Sequence, residues 1–235
     1  RQKISIAAPG ESTSVLSRSH DAFAENGLRS ANASLAFEQP GINYAGRVLN
    51  LVGSESSSLT TAFDQFFSSS KQLAADPSSD ASRQTFLSNS GFLASRVNAV
   101  ASELQDLAAE NNAEVEHRIN QLNGLSSQLA VINEELAAFS GNNQPPSLLD
   151  QRDLVLMKMS GLAKINVSFN DSGLASVNLA IPNEGVALVD NIQVKNLSVE
   201  PVSGSKNMQR VMYDVSGANS EITSVTGGSI GVLLS

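Results

Sequence analysis

Three charged residues, Asp150, Arg152 and Asp153, lie within four positions between the two apolar runs of SLLDQRDLVLMKMSGL. Two carboxylates beside a guanidinium could supply the acid, base and electrophile of an active site. That chemistry would also need a nucleophile, base or metal ligand from elsewhere in the chain, and the sequence offers no such set. The spacing instead predicts the start of a helix, with Ser147 as N-cap and Asp150 in a variant of the capping box. Both carboxylates would interact favourably with the helix dipole, and Arg152 would point away from them.

A second candidate for chemistry is the pair Glu114 and His117, which has the spacing of a ligand pair in di-metal helical bundles. Such a site needs a second pair of the same kind, but the only other histidine, His20, lies in SHDAF, which does not repeat the pattern. Because Val115 and Ile119 mark the apolar face of the helix, His117 is predicted to face solvent. We therefore predict no metal site, no cofactor site and no catalytic residue.

The glycine-rich segment at 226–231, TGGSIG, follows a possible strand and precedes a possible helix. A turn of this kind could cradle a phosphate group at the helix N-terminus. The segment lacks the G-x-G-x-x-G order and a surrounding βαβ unit, however. A helix entry that needs small residues for close approach accounts for it better.

The composition of the 235 residues excludes several classes of protein. Fifteen Lys and Arg against 23 Asp and Glu give a net charge of −8, without a basic cluster, so nucleic acid is not an expected partner. The chain has no cysteine, which excludes disulfides, thiol nucleophiles and thiolate metal sites. It has no apolar run of about 18 residues, so we predict no membrane span. Because it opens on Arg1 without a signal peptide, we interpret it as an excised fragment.

Hydrophobic periodicity predicts a helical bundle built on one long helix from Asp80, its predicted N-cap, to about residue 139. Apolar residues recur there at alternating steps of three and four, as in a heptad seam. The shorter helices expected to cover it are Ser12 to about Phe37, interrupted near Gly27, then 56–75 and 147–162, with 39–53 partly a loop. The predicted seam consists of Leu93, Val97, Val100, Leu104, Leu107, Val115, Ile119, Leu122, Leu125, Leu129, Ile132, Leu136 and Phe139.

Near Lys164 the period of the apolar residues changes from 3.6 to 2, which indicates strands. Alternation predicts strands at 165–169 and 177–181 around a turn at Asn170 to Gly173, and further short strands at 186–189, 192–199 and 208–215. The predicted fold class is α+β, with a long-helix, coiled-coil-like bundle followed by a small, mainly antiparallel β domain. The predicted domains are a helical bundle at 1–164, a β domain at 165–225 and the start of a return helix at 226–235.

Three segments of the chain occur in an order that one known protein family shares. They are the helix SSSLTTAFDQFFSSSKQLAADPSSDASRQTFL at 56–87, LLDQRD at 148–153 leading into the strand INVSF, and the closing TGGSIGVLLS. With them, and the long helix between, the chain resembles the flagellar hook-associated protein 1 family over roughly 50–170 and 222–235. LLDQRD is the most specific of these signatures, whereas the β region matches by position only.

The resemblance implies a structural subunit of the bacterial flagellum, without catalysis, that joins hook to filament and is exported by the flagellar type III pathway to work outside the cell. Its implied partners are other copies of itself in a ring, the hook protein, the second junction protein, and an export chaperone bound through a terminus beyond this chain. The resemblance assigns no active-site residues.

Two other classes compete with this interpretation. A ligand-sensing helical extracellular domain of a bacterial receptor would also be acidic, poor in cysteine and built of long helices, but it would seldom carry a β insertion of about 60 residues. An enzyme would require Glu114, His117 and other carboxylates to converge in a cleft.

Overall fold

The computed structural model describes residues 2–3, 17–18, 22–53, 59–139, 144–181, 184–204, 209–215, 218–222, 225 and 227–234. Its helices are α1 (Ala22–Gly53), α2 (Leu59–Ala75), α3 (Asp80–Ala137), α4 (Pro146–Leu162) and α5 (Gly228–Leu233). None of the helices in these residues is apolar over a length that could cross a membrane. Long helices followed by small antiparallel sheets confirm the predicted α+β class.

Helix α1 begins later and ends later than the helix predicted from Ser12 to about Phe37. It runs without interruption for 32 residues through Gly27 and Pro40, so the predicted break near Gly27 and the loop at 39–53 are wrong. Proline has no N–H and fixes φ at a helical value, so one interior helical hydrogen bond is lost while the dihedral angles still fit. At the other end, Ser17 and Arg18 form a strand, β2, that pairs with β1 (Gln2–Lys3), where the prediction had a helix. The predicted residues 12–16 lie outside the described part of the chain.

Helix α3 spans 58 residues, close to the predicted 80–139. Its cap is displaced by one position from the prediction: the Ser79 hydroxyl accepts the backbone N–H of Ser82 at 3.3 Å, and Asp80 is the first helical residue. The predicted seam is mostly buried over its second half, whereas over its first half only Val100 is buried and the other residues are half-buried or exposed. Val97 and Leu104 are 43% and 42% exposed. The buried seam residues of the second half are Val115, Ile119, Leu122, Leu129, Ile132 and Leu136.

The β region contains a four-stranded sheet, ordered β3-β4-β5-β6, and a three-stranded sheet, ordered β7-β8-β9. In the first sheet each neighbouring pair is antiparallel, and Val167 lies opposite Val177. Alternate residues of β4 are buried, as the period of two predicts. The strands are β3 (Ile165–Phe169), β4 (Ala175–Ile181), β5 (Glu184–Asp190), β6 (Gln193–Val194), β7 (Leu197–Pro201), β8 (Gln209–Val215) and β9 (Ala218–Ile222).

The strand predictions are confirmed apart from two details. The single strand expected at 192–199 is two strands, β6 and β7, divided at 195–196, and β9 was not predicted at all. The turn predicted at Asn170 to Gly173 is present. The Asn170 side-chain oxygen accepts the N–H groups of Ser172 and Leu174, both at 3.0 Å, and Gly173 has φ +74°.

The chain divides into two compact units. The first unit comprises Arg1–Glu38, Glu116–Glu200 and Arg210–Ser235, and the second comprises Gln39–Val115 and Pro201–Gln209. The boundary in α1 falls beside Pro40, and the boundary in α3 falls at Val115. The predicted division into a helical domain and a β domain follows the change in secondary structure instead, and it stays a prediction.

Candidate functional site

Arg152, the central charge of the stretch SLLDQRDLVLMKMSGL, is a buried structural residue with 4% of its surface exposed. Its guanidinium donates to the Gly173 carbonyl oxygen at 3.0 Å, pairs with the Asp153 carboxylate at 3.0 Å, and lies 4.5 Å from the centre of the Phe169 ring. A planar, weakly hydrated cation suits this combination of stacking and forked hydrogen bonding. Arg152 therefore fastens α4 to the β3–β4 hairpin, and the prediction that it points away from Asp153 is wrong.

The start of α4 also differs from the predicted capping box. The helix begins at Pro146, and Pro145 occupies the N-cap position without a side-chain hydrogen bond. Proline at the first helical position is favourable because its missing N–H would have had no helical partner there. Ser147 is thus already inside the helix, and Asp150 lies on its exposed side. The three charges lie in a helix, as predicted, but beyond its first turn, and the proposed cap is wrong.

Two asparagine side chains of α3 bind the β region through its backbone. The buried Asn133 amide accepts the N–H of Ala175 at 3.1 Å and donates to the carbonyl oxygens of Ala175, at 2.8 Å, and Asn191. Asn123 does the same with a single residue of β7, accepting the N–H of Leu197 at 2.9 Å and donating to its carbonyl oxygen at 2.8 Å. We call these contacts the amide clamps, Asn123–Leu197 and Asn133–Ala175. Each reproduces the paired donor and acceptor of a neighbouring strand.

Sequence reasoning did not find the amide clamps, because asparagine in a long amphipathic helix resembles an ordinary polar surface residue. One signal was available. Asn133 follows Ile132 directly within the apolar seam, so it had to lie at the edge of the buried face, where an amide needs partners. Asn191, which receives one of the Asn133 bonds, has φ 56°, a left-handed conformation that asparagine adopts more readily than most residues.

The glycine-rich segment that opens α5 is a close packing contact. Gly228 has φ +68°, and a Cβ atom there would lie 2.5 Å from backbone atoms of Leu162 and Ala163 at the end of α4. Gly227, with φ +67°, has a similar restriction against the side chain of Lys164, at 3.1 Å. The prediction that these residues serve close approach is confirmed. The helix that follows has only six residues.

The predicted absence of a metal site remains a prediction. The His117 side chain is exposed, as expected, and His20 lies outside the described residues. Within the part of the chain that the structure describes, no three His, Cys, Asp or Glu side chains lie close enough together to hold a metal ion. The Glu114 and His117 pair is therefore not joined there by the further ligands that a di-metal site requires.

An exposed ion pair joins α1 to α3 in the second unit. Both terminal nitrogens of Arg47 contact the Glu110 carboxylate, at 2.9 and 2.6 Å, and these hydrogen bonds lower the pKa of Glu110 from its ordinary value of 4.5. The same contact raises the pKa of Arg47. Beside it lies a cleft of about 320 Å³ whose lining includes Glu103 and Asp106. The pair has the geometry of an exposed, two-pronged salt bridge between two helices.

The second unit exposes several large apolar side chains on its helices. On α2 and α3, Phe63 and Phe67 stack at 6.4 Å, and Phe66 approaches Phe86 at 5.5 Å. Phe67 is 57% exposed although its aromatic neighbours lie close. The other exposed members within 59–115 are Phe63, Leu87, Phe92, Val97 and Leu104.

The family comparison agrees with this architecture. The model of the flagellar hook-associated protein FlgK helical domain matches residues 45–235, most of the chain and all of α2 to α5. The chain belongs to this family. Membership of the FlgK helical-domain family confirms the resemblance found in LLDQRD and the closing glycine-rich segment. It gives no support to the alternative of a receptor sensing domain.

Curated relatives and one solved structure extend the match over nearly the whole chain. Flagellar hook-associated protein 1 of Escherichia coli (strain K12) is 26% identical over 96% of the chain, and that of Salmonella typhimurium is 28% identical over the same share. The chain spans 42% and 41% of the lengths of these relatives. The structure of the flagellar hook junction protein FlgK from Burkholderia pseudomallei is similar with a TM-score of 0.76 at 26% identity, covering 90% of this chain and 38% of that one.

Proposed function

We propose that this chain is part of a structural, non-enzymatic subunit of the bacterial flagellum that joins the hook to the filament. The observation that carries the proposal is the FlgK helical-domain match over 45–235. The architecture suits the role, because a load-bearing subunit needs elements that are fixed to one another. Arg152 and the two amide clamps fix the β region to α3 and α4 through five hydrogen bonds to main-chain atoms of Gly173, Ala175 and Leu197.

The finer parts of the proposal concern assembly. The subunit forms a ring of identical copies, contacts the hook protein on one side and the second junction protein on the other, and binds an export chaperone through a terminus beyond this chain. It leaves the cell unfolded by the flagellar type III pathway and works on the cell exterior. The absence of cysteine from these 235 residues suits export in the unfolded state and work outside the cell. This part of the protein has no disulfide to reduce before export or to form afterwards.

The domain division belongs to the same proposal. The helical bundle at 1–164 carries load along the junction, the β domain at 165–225 projects from it as a cover or lateral contact, and 226–235 begins the return to the bundle. The change of period near Lys164 supports this division.

The absence of cysteine permits a direct test of location. These 235 residues contain no cysteine and Ser203 lies in an exposed turn, so Ser203→Cys adds one thiol for a maleimide dye to a full-length protein in which any cysteine outside these residues is replaced by serine. On intact flagella, the dye should label one spot between hook and filament, and flagella with the unsubstituted protein should stay dark. Label along the filament, or on the cell body alone, would refute the proposed location.

Loss of the protein provides a second, independent test. A strain lacking the gene should build hooks without attached filaments, because the adaptor between the two structures is missing. The cells should release filament subunits into the medium, and the unsubstituted gene on a plasmid should restore filaments. Normal filaments on the deletion strain would refute the proposed role.

A further inference from the structure

The two units of the chain differ sharply in the size of the side chains that they bury. Among the described residues, the twelve largest fully buried side chains include one from the second unit, Val115, at its very end. The other eleven lie in the first unit and come from α3, α4, α5 and the strands. They are Ile119, Leu122, Leu129, Leu136, Leu156, Met159, Leu179, Leu188, Ile230, Val155 and Val177.

Among the described residues, the second unit buries only four others, none of them larger than valine. They are Ala62, Ser69, Ser82 and Val100. Serine and alanine bury little apolar surface, whereas each fully buried leucine or phenylalanine contributes substantially to folding. Several large apolar residues of this unit are exposed, with Leu87 63% exposed and Phe67 57% exposed, and others such as Phe66 and Leu73 are only half-buried. The second unit therefore has much less hydrophobic stabilisation per residue than the first.

Ion pairs of the second unit add little to its stability. Arg47–Glu110 joins side chains that are 50% and 56% exposed, Arg83–Asp80 joins side chains that are 55% and 99% exposed, and such pairs contribute little in water. The hydrogen bond from the Asn89 side chain to the Gln65 carbonyl oxygen, at 3.2 Å, is also exposed. In the first unit, by contrast, Asn133 and Arg152 make their hydrogen bonds at buried positions.

We propose that α3 is one continuous helix with two levels of stability: the second unit, with α2 and the part of α3 up to Val115, opens locally while the first unit stays folded. Proteins open in cooperative units whose opening free energies range from almost zero to that of global unfolding. The boundary follows from burial, because from Leu93 to Leu107 Val100 is the only buried seam residue, whereas Val115 and most of the seam residues after it are buried. This inference concerns the chain itself and does not depend on the flagellar role.

Hydrogen exchange followed by mass spectrometry on the whole 235-residue chain tests the proposal. Amides in 62–75 and 84–110 should exchange at least about tenfold faster than amides in 119–136, although all of them lie in helices. Equal protection in the two ranges would overturn the proposal, because it would mean that α3 opens as one unit.

Two glycines of α3 provide a matched pair of variants. A Cβ atom at Gly91 or at Gly124 would meet nothing within 4 Å, so alanine fits at both positions. Alanine in a helix interior is more favourable than glycine, by an amount that corresponds to about a two- to fivefold change in the opening equilibrium. Gly124→Ala should slow exchange by this factor in 119–136 only, because the second unit opens while the first stays folded. Gly91→Ala should slow exchange in 62–75 and 84–110, and it should also slow 119–136 to the extent that this range exchanges by global unfolding. Equal slowing of both ranges by Gly124→Ala would overturn the proposal.

Discussion

The side chain of Asn133 pairs with the backbone of Ala175 as a neighbouring strand would, accepting its N–H at 3.1 Å and donating to its carbonyl oxygen at 2.8 Å. The pair is completely buried, since neither residue exposes any surface. A buried backbone group without a hydrogen-bond partner costs about 1–3 kcal/mol. This contact therefore stabilises the fold mainly because it gives the Ala175 N–H and carbonyl oxygen their partners. The contact joins α3 to the first residue of β4.

Replacement of the Asn133 side chain should destabilise the protein strongly. Asn133→Leu keeps the size but leaves the N–H and the carbonyl oxygen of Ala175 buried without a partner, so we expect a loss of about 2–5 kcal/mol in the free energy of unfolding. Chemical denaturation measures it. Gln128→Ala, at an exposed position of the same helix, should change stability by less than about 0.5 kcal/mol. Equal effects of the two substitutions would show that the Asn133–Ala175 clamp contributes nothing.

Arg152 should not tolerate lysine. Lysine keeps the charge but lacks the planar fork that contacts Gly173 and Asp153 and the flat group that stacks on Phe169. Arg152→Lys should therefore lower the free energy of unfolding by about 2–4 kcal/mol, since a buried charge would lose part of its pairing. Thermal unfolding of Arg152→Lys and of Lys158→Arg, at an exposed position of the same helix, provides the comparison. If both variants unfold at the same temperature as the parent, the planar geometry of the guanidinium does not contribute to stability.

Gly228 should be the least replaceable of the described glycines. Alanine there would place its Cβ 2.5 Å from the backbone of Leu162 and Ala163 at a positive φ, and both effects are unfavourable. We expect Gly228→Ala to cost about 3 kcal/mol or more, or to prevent soluble expression. Gly185→Ala, where the added atom meets nothing within 4 Å, is the matched control. A Gly228→Ala protein as stable as the control would refute the close packing of α5 on the end of α4.

The Arg47–Glu110 pair predicts a specific pH response. Hydrogen bonds from Arg47 lower the folded-state pKa of Glu110 below 4.5, so the contribution of the pair is present above the unfolded pKa and is lost as the pH falls through the folded pKa. NMR titration of the Glu110 carboxyl should give a pKa below 4.5 in the parent protein. In Arg47→Gln the pKa of Glu110 should return toward the ordinary value. An unchanged Glu110 pKa in Arg47→Gln would contradict the paired geometry.

The sequence predicted those parts of the fold that depend on local patterns. The period change near Lys164, the bounds of α3 and the turn at Asn170 all follow from side-chain spacing and turn chemistry. The continuity of α1 through Pro40 was missed because proline usually ends a helix, and only its surroundings decide whether the lost hydrogen bond is tolerated. The unequal burial of the α3 seam could not be predicted either, because periodicity shows which face is apolar but not what covers it.

Buried contacts made by single polar residues were the least predictable part of the structure. Asp150, Arg152 and Asp153 were correctly assigned to a helix, although they lie beyond its first turn. Nothing in their spacing indicated that Arg152 would reach Phe169 and Gly173. The amide clamps likewise join positions 42 and 74 residues apart in sequence, a separation over which local patterns carry no information.

The amide clamps contact only the main chain of β4 and β7. Every amino acid except proline offers the same N–H and carbonyl oxygen, so the attachment to α3 does not depend on recognition of a particular side chain. At Ala175 and Leu197 burial still restricts the side chain, but the exposed positions elsewhere on the strands are free of that restriction. The outward-facing residues of the β region can therefore vary in sequence while its attachment to the helix is retained.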